Sequence, residues 1–248
     1  MSAAPGTTPP GTSNPWQASR WVRQMFADVA PKYDLLNHLL SFNVDRHWRR
    51  RLRFRLAPVL ERKDARVLDL CCGTGDVLFE LQATASARVF GADFCHPMLA
   101  AAQAKASGRG VRARLIECDA LELPVASNSA DALSIAFGFR NLANYETGLK
   151  EFHRVLKPHG MLAILEFSHP RGRLIKTAFG LYSNLLLPVI GAAISGSAEA
   201  YRYLPESVRR FPRAEKLLAM MAAAGFENAS FELLTGGIAA LHVARKPQ

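Results

Sequence analysis

Cysteine is scarce, and the placement of its four copies rules out two architectures at once. Cys71, Cys72, Cys95 and Cys118 form no C-x-x-C pair and include an adjacent couple, so neither a zinc cage nor a disulfide framework can be read from them. That usage points to a reducing, cytoplasmic compartment. The stretch MSAAPGTTPPGTSNP lacks both a basic run and an apolar run, which excludes a secretory signal and predicts a disordered tail over residues 1–15. Internal repeats are missing as well. What is there, 49% hydrophobic and 21% charged residues in 248, excludes a collagen or a disordered polymer and suits a globular chain built on one core.

The net charge of +10 is uneven: +7 over residues 1–66, −2 over 67–170 and +5 over 171–248. A mildly acidic body is thus flanked by basic segments. The densest cluster, Arg46, Arg49, Arg50, Arg51, Arg53 and Arg55, would suit a phosphate-rich partner, either nucleic acid or an anionic membrane surface. A solvated helix face explains it equally well.

Residues 16–62 read as a helical cap, with Trp21, Val22, Met25, Phe26 and Val29 on one stripe, an interruption at Pro31 and a second helix from Asp45 to Leu60. From residue 63 the pattern changes to short apolar runs alternating with helical stretches, which predicts an α/β domain with a mostly parallel sheet. Strands are expected at 66–71, 88–92, 112–117, 131–136, 161–167, 228–234 and 239–244, the last two antiparallel. Helices are expected at 76–84, 97–106, 145–156 and 214–224, the third of them stopped by Lys157-Pro158-His159-Gly160. An insertion at about 171–212 contains 22 uncharged residues, Thr177 to Ala198. Its Asn184, Pro188, serines and glycines argue against a membrane span and for a lid over an apolar pocket or an element lying on a membrane surface.

The first strand runs directly into CCGTGD, which puts Gly73 and Gly75 in the first strand-to-helix turn, where a bound ligand approaches the backbone. Leu78 replaces the third glycine of the dinucleotide fingerprint, so a pyrophosphate is disfavoured. Asp69 lies in the first strand, Asp93 ends the second and Asp119 follows the third. Asp93 can accept two ribose hydroxyls, Asp119 can meet an adenine amino group and Asp69 can face a cation. A sulfonium with an amino-acid tail matches that set; capping of turns by Asp93 and Asp119 is the competing explanation.

These residues resemble class I S-adenosylmethionine methyltransferases with a Rossmann-like, seven-stranded sheet. With KYDLLNHLLSF, FGFRN, HRVLKPHGMLAILEFSHP and YRYLPESVRRFP in that order, the chain resembles the ubiquinone/menaquinone biosynthesis C-methyltransferase family over about Val22 to Lys246. The resemblance implies S-adenosyl-L-methionine as cofactor, contacted by Thr74, Asp93, Asp119 and Ala120. Phe94 and Met98 of GADFCHPM lie beside it, and Tyr33 closes over it from the cap. Ala136 stands where some relatives have Ser, and the CC of CCGTGD varies from the Ala-Gly or Cys-Gly often seen, so Cys72 needs a backbone geometry that a non-glycine residue can reach.

The acceptor implied is a polyprenyl quinol, methylated at a ring carbon, with a benzoquinol and a naphthoquinol both open. Arg140 and Asn141 are the expected catalytic residues: the guanidinium stabilises a phenolate, and Asn141 orients a water or the hydroxyl. A salt bridge from Arg140 to Asp34 or Glu166 is the competing reading. His169 and Tyr33 are candidates for a proton relay, although His38, His153 and His169, taken singly, read first as packing or surface residues. Glu166, His169, Tyr182, Tyr201 and Tyr203 are expected around the acceptor, whose tail would run along Phe179, Leu181 and Leu185 to Ile190. The partners implied are the quinol, an anionic membrane surface on the inner face, and a homodimer or a complex of quinone-biosynthesis enzymes. A nucleic-acid methyltransferase is the main rival, but the chain lacks the Pro-Pro-aromatic tetrapeptide after the fourth strand and any Cys there. An RNA-binding module without catalysis leaves the three acids unexplained.

Overall fold

The computed structural model describes residues 6–34, 41–182 and 198–248, without the side chains of residues 174, 178 and 198–202. Helix α1 (Pro15–Val29) begins where the Asn14 side chain accepts a hydrogen bond from the Gln17 amide, with proline at the first helical position. Pro31 ends it in a 3-10 turn, Ala30–Lys32. Helix α2 (Val44–Leu60) then leads into the sheet, burying Trp48, Leu52, Leu56, Val59 and Leu60.

The sheet has seven strands: β1 (Arg66–Leu70), β2 (Arg88–Asp93), β3 (Leu115–Glu117), β4 (Ala130–Ala136), β5 (Leu156–Phe167), β6 (Glu227–Leu234) and β7 (Ala239–Arg245). Their order is β3-β2-β1-β4-β5-β7-β6. The first five are mutually parallel, and β7 lies antiparallel between β5 and β6. Helices α3 (Asp76–Gln82), α4 (His96–Gly108), α5 (Tyr145–Val155) and α8 (Ala214–Ala223) connect strands, while α6 (Arg173–Leu181) and α7 (Ala198–Arg210) belong to the lid insertion.

The period of two along each strand feeds two cores, one per face. Leu68, Leu70, Leu133, Ile135, Leu162 and Ile164 face one; Val67, Ala132, Ala163 and Leu165 face the other, against Leu52, Leu56 and Leu78. The chain leaves β1 toward β2 on one side and returns as β4 on the other. A crevice therefore opens at the carboxyl ends of β1 and β4, where ligands bind in open α/β sheets.

Two expectations are corrected. The fifth strand begins at Leu156 and not at residue 161, so α5 ends at Val155 and Lys157 to Gly160 lie within β5, with His159 in the left-handed region at φ 63°. The tail is not free over residues 6–14. The Thr7 amide donates to the Leu142 carbonyl (2.8 Å), the Thr7 hydroxyl pairs with the Tyr203 hydroxyl (2.7 Å), and Arg210 donates to the Thr8 carbonyl (2.8 Å). Low hydrophobicity predicts no core contribution, but it says nothing about a segment held through backbone hydrogen bonds.

Candidate active site

The turn after β1 takes its shape from three left-handed residues: Cys71 (φ 51°), Gly73 (φ 54°) and Gly75 (φ 85°). Cys72 keeps a backbone geometry that a non-glycine residue can reach, as expected, and the strained non-glycine position is Cys71. Its neighbour makes room: a Cβ on Gly138, just past β4, would lie 2.4 Å from the Cys71 Cβ. Asp93 fixes the turn from β2, its Oδ2 accepting from the Gly73 amide (2.8 Å) and its Oδ1 from the Cys95 amide (2.9 Å). Turn capping and ligand binding are therefore not exclusive there, since each oxygen keeps a second lone pair. Asp119 behaves alike, its Oδ1 accepting from the Leu121 amide (2.8 Å).

Around that turn lies a narrow slot lined by Tyr33, Gly73, Asp93, Phe94, Met98, Asp119, Ala120 and Asn141. The donor fits these residues. Apolar Phe94 and Met98 flank the slot while Asp93 and Asp119 supply acceptors suited to ribose hydroxyls and an adenine amine. Asp69 and Thr74 line the larger cavity next to the slot rather than the slot itself; Asp69 is 1% exposed, and its Oδ1 accepts from Ser134 (2.7 Å), its register partner on β4. Its Oδ2 is buried without a hydrogen-bond partner. Burial pushes the Asp69 carboxyl up to about 7, against the lowering effects of Ser134 and Arg49. A cationic ligand would settle that acid in its charged form. Burial also raises the Asp93 carboxyl, opposed by its backbone hydrogen bonds.

The slot meets a much larger apolar chamber of about 760 Å³. Phe26, Tyr33, Cys71, Gly73, Ala136 and Phe137 line both, so two ligands placed in them would meet at this wall. The chamber wall includes Trp48, Phe137, Phe167, Phe179 and Tyr182, with Phe137 and Phe167 rings 4.9 Å apart. Trp48, Phe137, Phe167 and Phe42 were missed in the sequence because they come from four separate elements and form no local pattern.

Arg140 enters the chamber wall from the short turn Phe139–Asn141 after β4, 7% exposed. Its Nη1 donates to Glu166 Oε1 (2.9 Å) and to the Phe137 carbonyl, and its guanidinium lies over the Phe167 ring, 5.4 Å from the centroid. Burial alone would lower its pKa, but the Glu166 carboxylate together with Tyr203 and Tyr33 raises it on balance. The ion pair with Glu166 is therefore real, while Asp34 binds Lys105 instead. Glu166, expected beside the acceptor, is 1% exposed and lies behind Arg140 rather than on the chamber wall.

The remaining acceptor residues divide. His169, Tyr182 and Tyr203 line the chamber, and burial lowers the His169 pKa, which favours its neutral form. The Asn141 Oδ1 accepts from the Tyr203 hydroxyl (2.9 Å). Tyr201 lies on α7 with its side chain outside the described residues, as do His38 and Leu185 to Ile190.

Three of the six arginines of the cluster are held in ion pairs within the fold. Arg49 is buried between Asp45 (2.9 Å) and Asp76 (2.6 Å), Arg53 pairs with Glu80, and Arg51 with Glu232. Arg49 and Arg53 are one helical turn apart on α2 and meet Asp76 and Glu80, one turn apart on α3, so the cluster staples two helices. Arg46 and Arg50 stay exposed, and neither they nor Arg55 have an ion-pair partner among the described residues.

Residues 15–246 match the ubiE/COQ5 methyltransferase family. The chain belongs to that family. It is 52% identical over 228 residues to a demethylmenaquinone methyltransferase of Thermus thermophilus, covering 90% of this chain and 100% of that one. It is 42% identical to the ubiquinone/menaquinone biosynthesis C-methyltransferase UbiE of Geotalea uraniireducens, covering 91% and 96%. Among solved structures, the [4+2]-cyclase SpnF superposes with a TM-score of 0.69 at 19% identity, covering 100% and 99%, which shows the fold alone. As a member of the family the protein is an S-adenosylmethionine-dependent methyltransferase, on a class I, Rossmann-like fold.

Proposed function

We propose that the protein transfers a methyl group to a ring carbon of a polyprenylated quinol, with demethylmenaquinol as the first acceptor to test. The observation that carries this reading is the apolar chamber opening onto the donor slot with a buried guanidinium in its wall. The relatives named above supply the acceptor class: one is named for demethylmenaquinone and one for both quinones.

When bound, the donor supplies an electrophilic methyl group on a sulfonium. Asp93 would hold its ribose, Asp119 and Ala120 its adenine, and Thr74 and Asp69 its amino-acid end. The chain's own groups prepare the acceptor. Losing a proton from a ring hydroxyl makes the adjacent carbon electron-rich, and that carbon bonds to the methyl as the carbon–sulfur bond breaks; the ring proton then leaves. Arg140, its charge balanced by Glu166, acts as a directional N–H donor to the phenolate oxygen. The Asn141 amide N–H adds a second donor, and neutral His169 is the group suited to take the hydroxyl proton. Phe137 and Phe167 exclude water from that oxygen, strengthening both hydrogen bonds.

The same reading includes peripheral docking on an anionic membrane, because a prenyl tail partitions into lipid. Phe42, 75% exposed, lines the chamber with Ile175 and Lys176, and Leu181, 56% exposed, lies in sequence between the lining residues Gly180 and Tyr182. No helix among the described residues is long and apolar enough to cross a membrane. Exposed Arg46 and Arg50, with half-buried Arg55, are the cations available to lipid, and a cation contributes about 1 kcal/mol near an anionic surface.

The test is methyl transfer from isotope-labelled S-adenosylmethionine to demethylmenaquinol, to a demethylated benzoquinol and to RNA. Label in a ring methyl of a quinol is the expected result; label in RNA alone would overturn the reading. Arg46, Arg50 and Arg55 changed together to Gln should weaken binding to anionic vesicles and leave turnover of a short-tailed quinol unchanged.

A further inference from the structure

The catalytic turn is held from behind by a segment outside the family match. Gly6, Thr7 and Thr8 lie beside the Phe139–Asn141 turn, before the matched region begins at residue 15. Gly6 sits so close that a Cβ would fall 1.9 Å from the Ala143 carbonyl oxygen, and the Thr7 amide donates to the Leu142 carbonyl. Thr7 is 7% exposed and Tyr203 4%. The Tyr203 hydroxyl joins Thr7 Oγ1 (2.7 Å) on one side to Asn141 Oδ1 (2.9 Å) on the other.

The direction of this chain of hydrogen bonds follows from its inner end. Asn141 Nδ2 lies 3.5 Å from the Phe137 carbonyl, so a flipped amide would set two acceptors against each other. Asn141 therefore presents its oxygen to Tyr203, and Tyr203 spends its only hydrogen there. Thr7 must then donate to the Tyr203 oxygen, which makes that phenol the stronger donor to Asn141. Tyr203 also stands near Arg140, whose pKa it helps to raise, while the Tyr145 hydroxyl holds the Arg140 carbonyl (3.0 Å).

We infer that residues 6–8 form a positioning strap for methyl transfer, in which Thr7, through Tyr203, fixes the amide of Asn141 with its N–H on the side of Phe137, where the slot and the chamber share a wall. Thr7 is a positioning residue and touches neither ligand. The inference rests on the reading above that Asn141 meets the acceptor.

The experiment compares Thr7→Val, Thr7→Ser, Gly6→Ala and Tyr203→Phe in the full chain, reading kcat with a soluble quinol, acceptor KM, donor Kd by calorimetry and Tm. Losing one buried hydrogen bond should lower kcat in Thr7→Val by about three- to tenfold while donor Kd stays within about twofold. Thr7→Ser should restore kcat. Gly6→Ala keeps the hydroxyl but lifts the strap off Ala143, and should match Thr7→Val. The double variant Thr7→Val/Tyr203→Phe should be no slower than Tyr203→Phe, because both break one chain. Unchanged kcat in Thr7→Val, or losses that multiply in the double variant, would overturn the strap. Asn141→Ala separates the two readings. If it leaves kcat intact, the role given to Asn141 fails; if it lowers kcat while Thr7→Val does not, the strap alone fails.

Discussion

The donor slot and the acceptor chamber share a wall but are built differently. The slot is made of backbone: left-handed Cys71, Gly73 and Gly75, with the Asp93 carboxylate pinning two amides of consecutive turns. The chamber is made of side chains brought from the cap, from the exits of β4 and β5 and from the lid. Backbone sites depend on a few residues in local order, whereas side-chain sites depend on how distant elements pack. Slot variants should therefore fail in donor affinity, and chamber variants in turnover or acceptor affinity.

The largest expected effect is at the ion pair. Arg140→Ala leaves Glu166 buried without a counter-ion, a loss of about 3 to 5 kcal/mol for a broken buried pair, and should abolish turnover and lower Tm together. Arg140→Lys keeps the charge and loses the planar fork, so kcat should fall while calorimetry finds donor Kd nearly unchanged. Equal loss of donor binding and turnover in Arg140→Lys would mean that the wall between the two sites is not a boundary.

Asp93→Asn comes next. It weakens both the pin on Gly73 and the acceptor for ribose, and donor binding should drop by about 1.5 to 3 kcal/mol as for a charged hydrogen bond. Isothermal titration should find this with acceptor KM little changed.

Asp69 predicts a pH dependence that sharpens the contrast. Its folded-state pKa of about 7 lies above the ordinary 3.8, so the unliganded protein holds a proton there that an unfolded chain would release. Its effect on stability is therefore unfavourable, growing as pH rises from 3.8 to about 7 and constant above. A cationic donor reverses the preference, so donor affinity should rise with pH by at most about tenfold per unit up to 7 and then level off. Titration in buffers of different ionisation enthalpy should detect the released proton, and Asp69→Asn should flatten the profile.

The smallest effect is expected in the chamber's outer wall. Phe179→Ala removes one aromatic side chain and should raise KM for a long-tailed quinol by a few-fold, about 1 kcal/mol or more of buried apolar surface, while a short-tailed analogue shows no change. Steady-state kinetics with two tail lengths measures it.

The same division explains what could be read in the sequence. Strand periodicity placed all seven strands, and Gly73, Gly75, Asp93 and Asp119 were visible because a turn and the strands on either side carry their own signals. Cys71 escaped because a left-handed φ on a non-glycine residue depends on Gly138 across the sheet. Arg49 looked like part of a basic face because its partner Asp76 is remote in sequence. Glu166 looked like an acceptor contact because it sits in the motif that also positions Arg140. Thr7 was invisible: a strap held by backbone and one hydroxyl has neither periodicity nor hydrophobicity.

The central claim, two sites of different construction meeting at Tyr33, Cys71 and Phe137, is tested most directly by a crossed titration. Donor Kd and quinol Kd are each measured by calorimetry on Asp93→Asn and on Phe167→Ala. The account predicts that Asp93→Asn shifts only the donor constant and Phe167→Ala only the quinol constant. Both constants moving together in both variants would contradict it.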